Sequence, residues 1–422
     1  MHDLLVTYMP PVAHLQLPLI VTLLLLLLSA RVLGELFERA GVPAMVGEVL
    51  AGVLLGPSVL NLVASSQELN VISDLAVFLL IILAGMEISP EEIRTSFKPK
   101  NIWFAIFGFS VPFASGVSIG YFMGYSPFFA LFIGLCLSIT ALPVIIRILM
   151  DLGKIQSYVG KQIISVAIFN DIVSLLILGI LLDFQGETNS INEFSVSVVI
   201  TVLKLILLIA LLYAAYHVIK FASKKLDLLT DQLDRLLLFL KGKESMFALV
   251  MLFILVFASI SELLGMYFMV GAFFGTILIP RAFVSRTDFK RVKESASGIT
   301  SGFLSPIFFA AMGASFSIGA LDDYVLLIIL LGAVFASKLV GGFLGGKLSG
   351  MGSGDAFTLG IGINAGGAMA LVIANIALNK NLIDLNLFSI LVLIALITTL
   401  ITPMLLKIIF RFSETRKDQQ GR

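Results

Sequence analysis

The chain has 422 residues, of which 59% are hydrophobic and only 13% charged, whereas soluble domains carry about 25% charged residues. This balance excludes a soluble globular protein and reads as a polytopic membrane protein, while a formal net charge of +1 argues against nucleic acid as a partner. A single cysteine, Cys136 in an apolar run, excludes a disulfide framework within the chain and reads as a small core hydrophobe.

At about 20 apolar residues per crossing, the sequence predicts an all-α fold of thirteen spans. They cover residues 16–38, 44–64, 70–88, 101–122, 126–150, 156–183, 194–221, 245–263, 266–284, 296–318, 323–348, 355–379 and 383–411. The run Leu23 to Leu28 resembles a signal-peptide core, but no basic stretch precedes it and the apolar pattern continues, so it reads as an uncleaved first span. Assigning loops alternately to two sides gathers Arg39, Arg94, Lys98, Lys100, Lys154, Lys161, the clusters around Lys220–Lys243 and Arg281–Lys293, Lys347 and the tail on one side. Only Lys380 falls on the other. The positive-inside rule then places the amino terminus outside and the carboxyl terminus in the cytoplasm.

In chain order, Arg31 near the inner end of span 1 reads as a snorkelling side chain, as does Arg147 in span 5. Glu48 in span 2 and Glu87 in span 3 lie near cytoplasmic helix ends, where they either draw cations into a funnel or simply meet interfacial water. Span 5 carries Ser138-Ile-Thr-Ala-Leu-Pro143, whose proline removes a backbone hydrogen bond. Span 6 holds Asn170-Asp171 in the middle of an apolar run, a position about 3 kcal/mol uphill for an aspartate, and typical of an ion or proton path. Span 7 is a linker with an unexplained Lys204, followed by a basic-flanked amphipathic stretch, 224–241, that reads as an interfacial helix. Lys338 lies mid-span in span 11, and span 12 carries Gly360-Ile-Gly-Ile-Asn364-Ala-Gly-Gly-Ala368, whose glycines weaken the helix.

With span 7 as linker, spans 1–6 and 8–13 enter from opposite sides and can form inverted repeats. The sequence echoes itself at an offset near 225: Val46-Gly47 with Val270-Gly271, Leu83–Ser89 with Ala311–Ser317, and Gly134–Val144 with Gly360–Ala370. The expected organisation is a first repeat at 1–193, a linker and amphipathic segment at 194–244, a second repeat at 245–411 and a tail at 412–422. Two interrupted helices at matching positions are the best sequence pointer to a transporter site, although glycine and proline also serve close helix packing. Thr140, Asp171, Lys338 and Asn364 converge near one depth. A carboxylate, a hydroxyl and freed carbonyls suit a small cation, and the same carboxylate can hold a proton.

These residues resemble the monovalent cation/proton antiporter superfamily, in particular the branch of bacterial sodium/proton antiporters, Kef-type systems and plant cation/proton exchangers. The resemblance rests on residues 42–58, Leu83-Ala-Gly-Met-Glu87, Ser138–Pro143 with Arg147, Asn170-Asp171, Gly265 with Val270–Phe273, Pro306–Phe309 with Gly313, and Ser337-Lys338. It implies a homodimer in which a core from spans 4–6 and 11–13 moves against a scaffold from spans 1–3 and 8–10, carrying Na⁺ or K⁺ in an elevator-like step. It further implies Asp171 as the ion and proton carrier, Asn170 as its partner, Thr140 as the interrupted-helix contact and Lys338 as the nearby basic residue. Ser138 and Asn364 complete the expected ion-binding set. Where many relatives have Asp-Asp, this chain has Asn170-Asp171, which implies electroneutral exchange unless Lys338 loses a proton when the ion binds, which would make it electrogenic; an arginine and an acid usual in span 12 are replaced by Gly366 and by Met369 or Ala370.

Structural readings stand beside these: Lys338 as a salt bridge to a buried acid, Asn170 as a link to a neighbouring helix. No Walker motif, dinucleotide fingerprint or metal-cluster spacing is present, so no cofactor is expected. The short tail is too small for a nucleotide-binding domain. The expected location is a bacterial cytoplasmic membrane, and the protein is expected not to be an enzyme. An ion channel, an organic-anion transporter and a non-transporting sensor are the alternatives.

Overall fold

A computed structural model of the chain describes residues 17–64, 66–87, 99–140, 142–183, 243–266, 268–277, 279, 286–380 and 382–420, with scattered positions between 199 and 217. The helices are α1 (Leu19–Arg39), α2 (Ala44–Leu55), α3 (Gln67–Glu87), α4 (Pro99–Phe122), α5 (Pro127–Ser138), α6 (Leu142–Asp151) and α7 (Tyr158–Asp183). After the linker come α8 (Lys243–Leu263), α9 (Phe268–Ile277), α10 (Arg286–Ile299), a π-helical turn (Thr300–Leu304), α11 (Ser305–Ser315), α12 (Tyr324–Leu348), α13 (Ser353–Gly362), α14 (Gly367–Asn379) and α15 (Leu385–Gln420). No strand occurs among the described residues. The expected interfacial helix at 224–241 and the continuous course of span 7 lie outside them.

Eight helices among the described residues are long and apolar enough to cross a membrane, or nine if α13 and α14, bent by 43°, count as one span. The sequence reading has thirteen. The difference lies in the linker span and in α2, α5 and α9, which are 10 to 12 residues long. At about 1.5 Å per residue none of these alone matches the roughly 30 Å hydrocarbon core. Apolar composition continues past their ends, which is why a hydropathy window runs through them.

Several helices pack closely through small residues. Helix α4 lies on α5 at Gly116 and Gly134, where a Cβ on Gly116 would stand 2.6 Å from the Gly134 Cα, and α12 meets α4 at Gly345, 2.7 Å from the Trp103 carbonyl by the same measure. An adjacent face of α12 receives α13 at Gly342 and Gly360. Elsewhere α1, α2 and α11 enclose Leu26, Ala30, Ala51, Leu55, Ile307 and Ala310, and Gly313 of α11 lies directly against the Val49 carbonyl. Close backbone approach through glycine is how helices gain dispersion contacts in a medium that supplies no hydrophobic drive.

Two interruptions in helical hydrogen bonding share one solution. In the π-helical turn the Ser305 amide bonds to the Thr300 carbonyl, and Pro306 has no N–H to offer the carbonyls of Ser301 and Gly302. The guanidinium of Arg31 takes both, Nη2 lying 2.9 Å from Ser301 O and 2.7 Å from Gly302 O. Arg31 therefore ties α1 to this turn, where the sequence reading has it snorkelling. The second instance lies in the site.

Candidate functional site

Helix α5 ends at Ser138, and Ile139 turns extended with φ −63° and ψ 141°. Pro143, one residue into α6, cannot supply the N–H that the Ile139 carbonyl needs in a continuous helix. That carbonyl accepts instead from Lys338 Nζ of α12 at 2.5 Å. An ammonium there meets both a freed acceptor and the negative end of the α5 dipole, an arrangement worth about 0.3–2 kcal/mol. Lys338 is 1% exposed. The sequence left Lys338 open between a proton role and a salt bridge to a buried acid; the hydrogen bond found is to backbone.

The second interruption falls between α13 and α14. The Ile363 and Asn364 amides close the last turn of α13 onto Leu359 O and Ile361 O at 3.1 Å each, and Asn364 Nδ2 donates to Gly360 O at 2.9 Å. Gly367 begins α14 with φ +54°, a left-handed conformation that favours glycine. Its amide donates to Thr399 Oγ1 of α15 at 3.1 Å. Thr398 Oγ1 faces Gly366, 3.2 Å from where a Cβ would stand. In α15 itself Pro403 withholds a donor from the Thr399 carbonyl.

Thr140 joins the two interruptions. Its hydroxyl donates to the Ile363 carbonyl at 3.0 Å and accepts from Asn170 Nδ2 of α7, also at 3.0 Å. Asn170 Nδ2 donates as well to the Ser138 carbonyl at 3.2 Å. The Ser138 hydroxyl points back into its own helix, 2.7 Å from Leu135 O. Thus the structure brings Ser138, Thr140, Asn170 and Asn364 into one cluster with Lys338, and sets Asp171 beside it on α7, 1% exposed. The Oδ1 atoms of Asn170 and Asn364 accept no hydrogen bond among the described residues, and neither does the Ser174 hydroxyl.

Ser174, Thr398, Thr399 and Thr402, all buried, were not singled out from the sequence. Ser174 had a usable signal, since it lies three residues after Asp171 and so shares its helix face. Thr399 had none, because its role depends on which helix lies beside Gly367. Glu48 does not join the cluster: it lines a separate cavity between α1 and α2 with Arg31, Glu35 and Glu38. Glu87 is the last residue of α3.

The Thr140–Ile363 bond links the segment between the C-terminal end of α5 and the N-terminal end of α6 to the segment between those of α13 and α14. Carbonyl ends carry partial negative charge and amide ends partial positive charge, so the site offers oxygen ligands to a cation beside compensating positive dipoles. The family model described as "Sodium/hydrogen exchanger, transmembrane" matches residues 21–412. The chain belongs to the sodium/hydrogen exchanger family. Among relatives of this exchanger, the Na(+)/H(+)-K(+) antiporter GerN of Bacillus cereus is 28% identical over 388 residues, covering 92% of this chain and 95% of its own. The Na(+)/H(+) antiporter of Enterococcus hirae is 27% identical, covering 91% and 96%. The fold is similar to that of the sodium proton antiporter MjNhaP1 from Methanocaldococcus jannaschii, with a TM-score of 0.64, 15% identity and coverage of 92% and 95%. The exchanger is thus an integral, multi-pass member of the monovalent cation/proton antiporter superfamily.

Proposed function

We propose that this exchanger is a secondary-active antiporter that trades one monovalent cation, Na⁺ or K⁺, for one proton, with Asp171 holding each in turn. The observation that carries the reading is the burial of Asp171 next to Asn170, whose amide fastens the interruption of α5–α6, itself bonded to that of α13–α14. A buried carboxylate is tolerated when it is neutralised. A proton does this on oxygen; a desolvated cation does it with help from further hard oxygens. Thr140 Oγ1, the Ser174 hydroxyl, Asn364 Oδ1 and the carbonyls at the α5 and α13 ends are the candidates for that set, and Ser138 contributes its carbonyl end.

Charge balance follows from residue type. Asn170 is neutral and uses its amide to hold backbone, so one carboxylate exchanges one proton for one unit cation and no net charge moves. Lys338, held on the Ile139 carbonyl, serves as a fixed cap of α5 and takes no part in proton exchange. Access alternates because the two helix sets slide past one another, the core being α4–α7 with α12–α15 and the scaffold α1–α3 with α8–α11. In this reading the core and scaffold each draw on two inverted repeats, the protein acts as a homodimer, and its carboxyl terminus faces the cytoplasm. The antiporter names of the relatives in two bacterial genera support the activity.

The test is a reconstituted exchanger in proteoliposomes holding a pH gradient. Adding Na⁺ or K⁺ is expected to dissipate the gradient, at the same rate whichever sign of membrane potential is imposed. No response to Na⁺, Li⁺ or K⁺ from folded protein would favour a non-transporting sensor, and strong potential dependence would give Lys338 a part in the exchange chemistry.

A further inference from the structure

Away from the helix crossing, α1 and α2 border a second polar space. A cavity of about 440 Å³ is lined there by Arg31, Gly34, Glu35, Glu38, Ala44 and Glu48. Three carboxylates face one guanidinium here, and all but Glu48 are engaged, Glu38 among them. Glu35 Oε1 takes Arg39 Nε at 3.0 Å, and Arg31 spends its Nη2 on the carbonyls of Ser301 and Gly302. Glu48 is different. It is 5% exposed, it lines the cavity, and it makes no hydrogen bond or ion pair within 4 Å among the described residues. Its charged neighbours across the cavity are Arg31 and Glu38.

The room for Glu48 is built by a glycine. A Cβ on Gly34 would stand 3.2 Å from Glu48 Cγ and 3.5 Å from its Oε1, so an alanine there would make the side chain yield by a few tenths of an ångström. A buried carboxylate that no side chain bonds directly, and that shares its one facing guanidinium with two backbone carbonyls, gains from a further counter-charge or a proton. No group of three His, Cys, Asp or Glu side chains converges to metal-binding distance among the described residues, so the cavity does not fit a fully dehydrated divalent ion. Its volume is that of roughly fifteen waters at about 30 Å³ each, ample for a cation that keeps much of its hydration shell.

We propose that this cavity binds a hydrated inorganic cation against Glu48, and that occupancy steadies the π-helical turn through Arg31. The coupling follows from the single guanidinium shared between them. With no cation bound, Arg31 must at once balance Glu48 across the cavity and hold the carbonyls that Pro306 leaves without donors. A cation balances Glu48 and leaves Arg31 on Ser301 and Gly302. Because the turn sits between α10 and α11, and α11 packs directly on α2, the site is placed to modulate the scaffold without touching the helix crossing.

Hydrogen exchange on the full chain tests this, with Asp171→Asn silencing the proposed transport site. NaCl, KCl or MgCl₂ is titrated against choline chloride at matched ionic strength. Saturable protection of amides at 299–305 is expected, about tenfold at ten times the Kd, and Glu48→Gln is expected to abolish it. Gly34→Ala, which crowds the same side chain by a few tenths of an ångström, gives an independent variant in which the protection is expected to weaken. The three salts distinguish a monovalent from a divalent occupant. Protection that choline matches, that survives both variants, or that vanishes with Asp171→Asn alone would overturn the proposal. None of these results depends on whether the exchanger transports.

Discussion

Thr140 and Ile363 lie 223 residues apart and are joined by one hydrogen bond, the Thr140 hydroxyl donating to the Ile363 carbonyl at 3.0 Å. Each stands where a helix is interrupted, so this bond sets the two interruptions against each other at a fixed distance. Asn170 accepts nothing on its Oδ1 among the described residues and donates twice from its Nδ2, to Thr140 and to the Ser138 carbonyl. The side chain next to Asp171 is therefore a fastener for the α5–α6 interruption, and its amide hydrogens are what it contributes.

Thr140→Val keeps the shape and removes both bonds. Leaving the Ile363 carbonyl and the Asn170 amide short of partners costs about 1–3 kcal/mol, so the melting temperature in detergent is expected to fall and the exchange rate with it, by roughly tenfold or more. Thr140→Ser, which keeps the hydroxyl, is expected to retain most of both. Equal behaviour of the two variants would remove the hydrogen bond from the account.

Asn170→Asp converts the donor into an acceptor. It repels the Ser138 carbonyl and adds a second buried carboxylate next to Asp171. The variant is expected to lose stability by about 1–3 kcal/mol and, where it remains folded, to exchange at a rate that depends on membrane potential. Voltage-clamped proteoliposomes or potassium–valinomycin potentials read the second effect separately from thermal stability.

Lys338→Met tests the capping role. The Ile139 carbonyl would lose its donor and α5 its terminal cation, a loss expected to lower stability by roughly 1.5–3 kcal/mol while leaving exchange independent of potential. Arg31→Met is the parallel case on the π-helical turn, with Ser301 and Gly302 uncovered. Its expected cost is of the same size and is confined to α1 and 299–305 by hydrogen exchange.

Gly360→Ala acts on the crossing from a distance. Its Cβ would stand 2.6 Å from the Leu339 carbonyl, so α13 must move off α12, carrying Ile363 away from Thr140. Loss of exchange is expected with little change in helix content by circular dichroism.

Much of this arrangement was legible in the sequence because the membrane makes polar residues conspicuous. Thr140, Asn170, Asp171, Lys338 and Asn364 stand out in apolar runs, and Pro143 and the glycines of 360–367 mark where helices cannot continue. What was not legible is direction. Asn170 and Asp171 are adjacent, yet which faces backbone depends on the rotation of α7. Arg31 read as a surface cation because nothing near it in sequence announces the π-helical turn 270 residues away. Likewise Thr399 is one polar residue among several in α15 until Gly367 lies against it. The short helices α2 and α9 were overrun because the apolar composition that identifies a span does not end where its hydrogen bonds do.

The most direct measurement compares wild type and Asp171→Asn in proteoliposomes of matched protein content, following the decay of an imposed pH gradient on addition of Na⁺ or K⁺. The account predicts cation-dependent decay with wild type and none with Asp171→Asn, whose melting temperature stays near that of wild type. Undiminished decay with Asp171→Asn would contradict it and place the exchanging carboxylate elsewhere in the chain.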